Sequence, residues 1–345
     1  MKKKSFHILL ILLMLFVVFA LFLTGCGPGP VDKSDVSQGG QTAQKKEKLT
    51  LVLDWIVNTN HVGIYVAQEL GYFDEVNLDV DIIQSPDLNF IEMVGVGNAQ
   101  IGICGQEQLT QARDSGQVPI VAVGALLQHN TSGFASPVDR NIHGPEDFEG
   151  KKYSGWSTPL EEKFIEYFMN RAGADYSSVT MRMMSATDFI ASMETEADFA
   201  WIYYGWDGVG AEIRDYPINF QLLQDIDPKM DFYSPLFFAN EDFAANSPDM
   251  LAGFMEAVAK GYKYTVENPE EACDLLLKST PETDRDHALA SIAYLSEFFL
   301  DEDENFGPMK DEIWADFTAW MASADLIASD FDLRKAYTND FVYKD

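Results

Sequence analysis

Tryptophan and tyrosine recur beside carboxylates, amides and hydroxyls at five places in this chain. The first is Asp54, Trp55, Asn58, Asn60, His61 and Tyr65; the second is Gly105, Gln106 and Gln108. The third is Ser154, Trp156, Ser157 and Thr158, with Glu162 one helical turn on. The fourth is Tyr203, Tyr204, Trp206 and Asp207, and the fifth, weaker, is Tyr233 and Ser234. Aromatic faces select flat rings. Carboxylates as the charged partners select N–H donors over anions. A protonated aminopyrimidine offers two parallel donors, its exocyclic amine and a ring nitrogen, to one carboxylate, a charge-assisted pairing stronger than a neutral one. A nitrate or sulfonate site would call for arginine or lysine, and these turns hold only Lys163, inside a helix. Each residue alone also has a structural reading. A tryptophan can be core, His61 can be a capping histidine, and Asp207 or Glu162 can favour a helix N-terminus through its dipole.

Signatures of catalysis are missing from the sequence. There is no GxSxG elbow, P-loop or HExxH, and the five histidines (His7, His61, His129, His143, His287) have no metal-ligand spacing. Gly95-Val96-Gly97 lacks the third glycine of a dinucleotide fingerprint. Neither a metal nor a cofactor is expected.

The elements that must position these residues alternate. Leu49 to Leu53 reads as a buried strand, followed by a polar loop and a helix from Val62 ended by Gly71, with Asn60 its expected N-cap. Strands are expected at Leu78–Ile83, Ile101–Cys104 and Pro119–Leu127, with helices at Leu88–Val96 and from Gly105 to Ser115. From Thr131, Pro137, Gly144 and Pro145 punctuate a loop. A strand ending at Gly155, a helix Leu160–Arg171, a strand Val179–Met184 and a helix Asp188–Met193 follow. Next come a strand Asp198–Tyr204, a helix to about Arg214 and a strand Ile218–Leu223. After Pro235 the run LFFAN is a strand, and helices cover Pro248–Glu267, Pro269–Lys278, Asp284–Phe299 and Lys310–Ala322. This order predicts two α/β units with largely parallel sheets. Every aromatic cluster then lies at the carboxyl edge of a strand, where open α/β sheets hold ligands.

Composition limits the partners. The chain has 345 residues, is 47% hydrophobic and carries a net charge of −31, which excludes nucleic acid as a partner. Lys2, Lys3 and Lys4 precede an apolar stretch from Phe6 to Leu23 and the box Leu23-Thr24-Gly25-Cys26. That order reads as a bacterial lipoprotein signal, residues 1–25, with Cys26 lipidated and the rest of the chain, a monomer, held at the outer face of the cell membrane. Residues 26–48, rich in Gly, Pro, Ser, Gln and Lys, read as a flexible tether. Cys104 and Cys273 are expected as free thiols.

DWIVNTNHVGIYVAQELGYF, GWSTPLEEKF, WIYYGWDGVGAE and DFYSPLFFANEDF, in that order, resemble the solute-binding lipoproteins that deliver thiamin pyrimidine precursors to ABC transporters (the ThiY type), a family grouped with the fungal thiamin-pyrimidine synthases. The resemblance covers nearly all of residues 49–345. It implies a type II periplasmic-binding-protein fold: two lobes, 49–132 with 236–345 and 133–235, joined by two hinge crossings and closing on a ligand between them. It implies capture of a formylaminopyrimidine or hydroxymethylpyrimidine, with a permease and through it an ATPase as partners. By the same resemblance Trp55 and Tyr203 or Tyr204 sandwich the ring, Asp207 takes the amine and ring nitrogen, and Asp54, Asn60 and His61 line the other wall. Where relatives often read W-F-P-N-T-N-H, Ile56-Val57 stands here in place of Phe-Pro. A riboflavin-binding branch shares the opening motif, and a pyrimidine synthase using a pyridoxal cofactor is the enzymatic alternative.

Overall fold

A computed structural model describes residues 45–344, apart from 86–88, 157, 184–187 and 196. The expected signal, the Cys26 lipidation site, the tether up to residue 44 and Ser157 lie outside the described residues. In chain order the strands are β1 (Glu47–Leu53), β2 (Leu78–Gln84), β3 (Ile101–Cys104), β4 (Ile120–Ala125) and β5 (Ser132–Pro137). They continue with β6 (Lys152–Gly155), β7 (Thr180–Met183), β8 (Phe199–Tyr203), β9 (Ile218–Leu222) and β10 (Leu236–Asn240). The main helices are α1 (Val62–Glu69), α2 (Phe90–Gly95), α3 (Gln106–Ser115), α4 (Pro159–Ala172), α5 (Phe189–Thr195), α6 (Val209–Ile213), α7 (Pro248–Glu267), α8 (Pro269–Leu276), α9 (Arg285–Leu295) and α10 (Asp311–Ser323).

The strands form two five-stranded sheets, ordered β2-β1-β3-β10-β4 and β7-β6-β8-β5-β9. In each, four strands run parallel and one runs against them: β10 is antiparallel to β3 and β4, and β5 to β8 and β9. The reason lies in the connections. The chain leaves the carboxyl edge of one sheet and enters the other at its carboxyl edge, so the first strand after each crossing must run backwards. β5 replaces the loop expected from Thr131. Its sequence, SGFASP, hides it, because small residues stand where a β-branched run would mark a strand. The small residues are needed: a Cβ on Gly133 would lie 2.2 Å from the Gln221 carbonyl oxygen.

Period-two burial builds the first lobe's core. Leu51 and Leu53 join Ile64 and Val66 of α1 and Phe254, Val258 and Tyr262 of α7, while Val52 faces the opposite side with Phe90, Val94 and Phe238. The second sheet packs Phe134 and Phe199 against Phe164 and Phe168 of α4. Residues 236–345 do not all stay with the first sheet, as the lobe boundaries read from sequence would have it. Trp314 packs with the first sheet's core, but Phe317, Trp320 and Met321 of the same helix α10 enter the second core. There Phe317 stacks on Phe232 at 4.1 Å and Trp320 on Phe164 at 4.8 Å. Its apolar face at helical spacing is present as expected; spacing alone does not say which core receives it. The chain then returns to the first sheet through Ala336 and Tyr337.

The two hinge crossings lie side by side. Asp231 accepts the Asn130 N–H at 2.8 Å and pairs with His129 Nδ1 at 2.7 Å. That hydrogen bond raises the His129 pKa against the opposing effect of burial. Among the described residues no helix is long and apolar enough to cross a membrane, and Cys104 and Cys273 are both buried free thiols.

Candidate functional site

The registers bring one edge of each sheet to the same recess. Leu236 pairs with Cys104 and with Ala125, so the ends of β1, β3 and β4 and the start of β10 form one edge. Ser132 pairs with Tyr203 and Gly133 with Leu222, which gathers the ends of β6, β8 and β9 and the start of β5 into the other.

At the end of β1 the chain makes a 3₁₀ turn over Thr59–His61, capped by Asn58, and the helix from Val62 has His61 at its N-cap, with no side-chain capping bond, in place of the expected Asn60. Asn58 Oδ1 accepts the Asn60 N–H at 2.9 Å and Nδ2 donates to the Ile56 carbonyl at 3.0 Å, so its side chain is spent on the loop. The Asn58 N–H donates to His61 Nδ1 at 3.2 Å. A ring nitrogen that accepts carries no proton, so the proton of a neutral imidazole sits on Nε2 and is donated to Asp54 Oδ1 at 2.9 Å. His61 is fully buried with both nitrogens engaged, and it orients Asp54 instead of lining the wall itself. Asn60 is half-buried; its carbonyl accepts from Tyr262 Oη at 2.7 Å, and its side-chain amide has no partner among the described residues. Tyr65 is buried in the first core, and burial raises its pKa.

At the end of β3, Gln106 ties α3 to the second crossing. Its N–H donates to the Tyr233 carbonyl at 2.8 Å and its Oε1 accepts the Tyr233 N–H at 3.1 Å, leaving Nε2 buried without a partner. Gln108 Oε1 caps the helix by accepting the Gly105 N–H at 2.9 Å. Between them stands Glu107, which the sequence reading passed over. It is 6% exposed, and its Oε2 is buried with no partner among the described residues. Burial, with the negative charge of Asp54 adding to it and the residue's own N–H opposing, pushes its carboxyl up to about 7. A Cβ at Gly105 would lie 2.3 Å from both its oxygens, so only glycine leaves the carboxylate this room. The available signal was the acid itself, in the first helical turn after the apolar strand IGIC.

In the second lobe, Trp156 leaves the end of β6 53% exposed and meets Trp55, 38% exposed, edge to face with ring centroids 5.7 Å apart. The two rings come from opposite lobes. The carboxylate that holds this loop is Glu161, not Glu162. Glu161 is buried, and its oxygens accept from Tyr153 Oη at 2.8 Å, the Trp156 N–H at 2.9 Å, the Thr158 N–H at 2.8 Å and Thr158 Oγ1 at 2.9 Å. As the third residue of α4 it folds back to cap the helix. Glu162, one position on, points outward and is exposed; its charge bears on Tyr176.

β8 alternates, so Trp201 and Tyr203 share one face, their rings 5.9 Å apart. Tyr203 Oη shares a 3.2 Å hydrogen bond with Ser234 Oγ of the second crossing. Its pKa is raised by burial and then by Glu107, with Asp54 and Glu161 adding. Yet Tyr203 keeps 38% of its surface uncovered. Tyr204 takes the opposite side, between Phe220 at 4.7 Å and Tyr294 at 5.1 Å, with its hydroxyl donating to Glu212. Trp206 lies on His287 of α9 at 4.1 Å, and its carbonyl accepts from His287 Nε2 at 2.9 Å, so one face of that indole is covered. Asp207 is half-buried in the π-helical turn Tyr204–Gly208. Burial and then Asp188 push its carboxyl up to about 7, against Arg214 and a hydrogen bond from the Tyr203 N–H. Tyr233 does not line the recess: it is fully buried, and its hydroxyl accepts the Lys310 N–H at 2.7 Å.

The recess is thus bordered by Asp54, Trp55, Glu107, Trp156 and Tyr203. Among the described residues no cluster of His, Cys, Asp and Glu could hold a metal ion.

Residues 58–272 match the family described as NMT1/THI5 like. The chain belongs to the NMT1/THI5-like family. This NMT1/THI5-like chain is 26% identical over 335 residues to a formylaminopyrimidine-binding protein of Halalkalibacterium halodurans, covering 93% of this chain and 94% of that protein. It is also 26% identical over 305 residues to a 4-amino-5-hydroxymethyl-2-methylpyrimidine phosphate synthase of Legionella pneumophila, covering 86% and 93%. In fold it is similar to the periplasmic aliphatic sulphonate binding protein of Escherichia coli, with a TM-score of 0.63 at 15% identity, covering 86% and 92%. The α/β architecture is the two-lobed periplasmic-binding-protein fold.

Proposed function

We propose that the chain captures a thiamin pyrimidine precursor, a formylaminopyrimidine or hydroxymethylpyrimidine, and delivers it to the permease of an ABC importer. The observation that carries this reading is the composition of the recess: three aromatic rings, two carboxylates and no base. Flat rings gain from stacking on tryptophan and tyrosine, and amines gain from carboxylates. A sulfonate would meet acids there and no base to pair with.

In this reading Trp55 and Tyr203 sandwich the pyrimidine. Asp54, set by His61, and the free amide of Asn60 serve one wall, and Asp207 offers its carboxylate to the amine edge from the other lobe. Trp156 closes over the ring from the second lobe. The protein makes and breaks no bond. It works at the outer face of the membrane as a monomer, held by lipid on Cys26, and its charge of −31 leaves nucleic acid no part in its function. The relative named a binding protein spans nearly the whole chain, and the lipoprotein box in the sequence supports export.

The test is mass spectrometry of whatever small molecule the purified, denatured protein releases. An aminopyrimidine is expected. A yellow flavin would replace the pyrimidine with riboflavin, and pyridoxal absorbance with pyrimidine production would overturn capture in favour of synthesis.

A further inference from the structure

Glu107 has no part in the reading just given, and in the fold its carboxyl meets only its own N–H. The capping that a first-turn acid often performs is done here by Gln108. Its Oε2 is buried and accepts from no described residue, and an unpartnered buried acceptor is expensive unless something fills its place. Gly105 keeps open the space that the carboxyl occupies. The titratable groups around it are Asp54 from the end of β1, Cys104 from β3 and Tyr203 from β8, and none is a base. Asp54 already accepts the His61 proton; the free oxygen of Glu107 is where a further proton has room.

We propose that Glu107 recognises the pyrimidine as a neutral carboxylic acid, its O–H donating to a ring nitrogen while its carbonyl oxygen accepts from the adjacent amine. This rests on the functional reading above and refines it. The ligand class is a ring nitrogen flanked by an amine, the pattern of an aminopyrimidine. The carboxyl position near 7 agrees with the geometry: the acid form is present below that pH and is lost above it. When the free protein has lost that proton, binding takes one up from solution, and the proton is then shared between the carboxyl and the ring nitrogen.

The discriminating variant is Glu107→Gln, because an amide reproduces the neutral acid's pattern of one donor and one acceptor and cannot ionise. Calorimetric titration with a formylaminopyrimidine from pH 5.5 to 8.5 is the measurement. For the wild type, affinity should hold below pH 7 and fall by about tenfold per pH unit well above it, as one-proton linkage requires. Glu107→Gln should bind at every pH with a flat profile, and Glu107→Ala should bind at least tenfold more weakly throughout. A Glu107→Gln profile parallel to the wild type's, or a tenfold loss for Glu107→Gln at pH 6, would overturn the proposal while leaving capture of the pyrimidine intact. No binding by the wild type at any pH would overturn both. Folding is checked by thermal melts without ligand. The folded carboxyl is raised, so the wild type holds a proton that its unfolded chain has released, and stability falls as pH rises from about 4.5 through 7. The melting temperature of Glu107→Gln should exceed the wild type's above pH 7 and converge with it in acid; equal values throughout would also overturn the proposal.

Discussion

The turns after β3 and β6 have the same plan and spend their acids differently. In the second lobe Glu161, third in its helix, accepts four hydrogen bonds from its own loop and from Tyr153 of β6, and has no capacity left. In the first lobe a neutral glutamine, Gln108, occupies that third position, and the acid has moved to the second, where it is buried with an oxygen to spare. Around them the lobes differ in kind. The first carries hydrogen-bonding capacity: Asp54 set by His61, the free amide of Asn60, and Glu107. The second carries aromatic surface in Trp156 and Tyr203 beside a turn whose acid, Glu161, is fully engaged. In the proposed reading the first lobe supplies most of the contacts to the ring's edge, with Asp207 from the second, and the ring lies between Trp55 of the first lobe and Tyr203 of the second as the lobes close.

The comparison can be broken at Glu161. If that carboxylate is structural, Glu161→Ala should cost the most stability, about 3–5 kcal/mol, since it strands buried donors, as read by urea unfolding. A variant that keeps its stability and loses only ligand would make the two turns alike. Trp55→Ala sharpens the division between edge and face. It should weaken pyrimidine binding by about 2 kcal/mol, the scale for removing one stacked ring, with little change in melting temperature because the indole is already part exposed; a lower melting temperature with unchanged affinity would make Trp55 a core residue. Asp207→Asn has the smallest expected effect, roughly tenfold weaker binding through loss of a charged acceptor. Unchanged affinity would confine edge recognition to the first lobe, for Asp207 answers to Asp188 and Arg214 where Glu107 answers to Asp54.

Much of this was legible in the sequence. Apolar runs between helical patterns place the strands, and the alternation of Tyr203 and Tyr204 already requires that one of them face away. What was not legible depends on long-range placement. β5 is a strand because β8 and β9 flank it, whatever its own propensity. α10 reaches the second core because Phe232 waits there, and amphipathic spacing carries no address. Asn58 and Asn60 are equally good caps by type, and only the turn geometry chooses. Glu162 was singled out because it stands one helical turn after Thr158, yet the third helical residue, Glu161, is the one that folds back. Glu107 was overlooked because an acid in a first turn ordinarily serves the helix, and nothing local shows that Gln108 has taken that task.

The central claim is that the recess selects a flat ring bearing N–H donors. Isothermal titration of the wild-type protein, stripped of ligand and kept at pH 6.5, against a formylaminopyrimidine, riboflavin and an alkanesulfonate tests it most directly. Saturable one-to-one binding of the pyrimidine with no heat from the sulfonate is expected; binding of the sulfonate or riboflavin with none of the pyrimidine would contradict it.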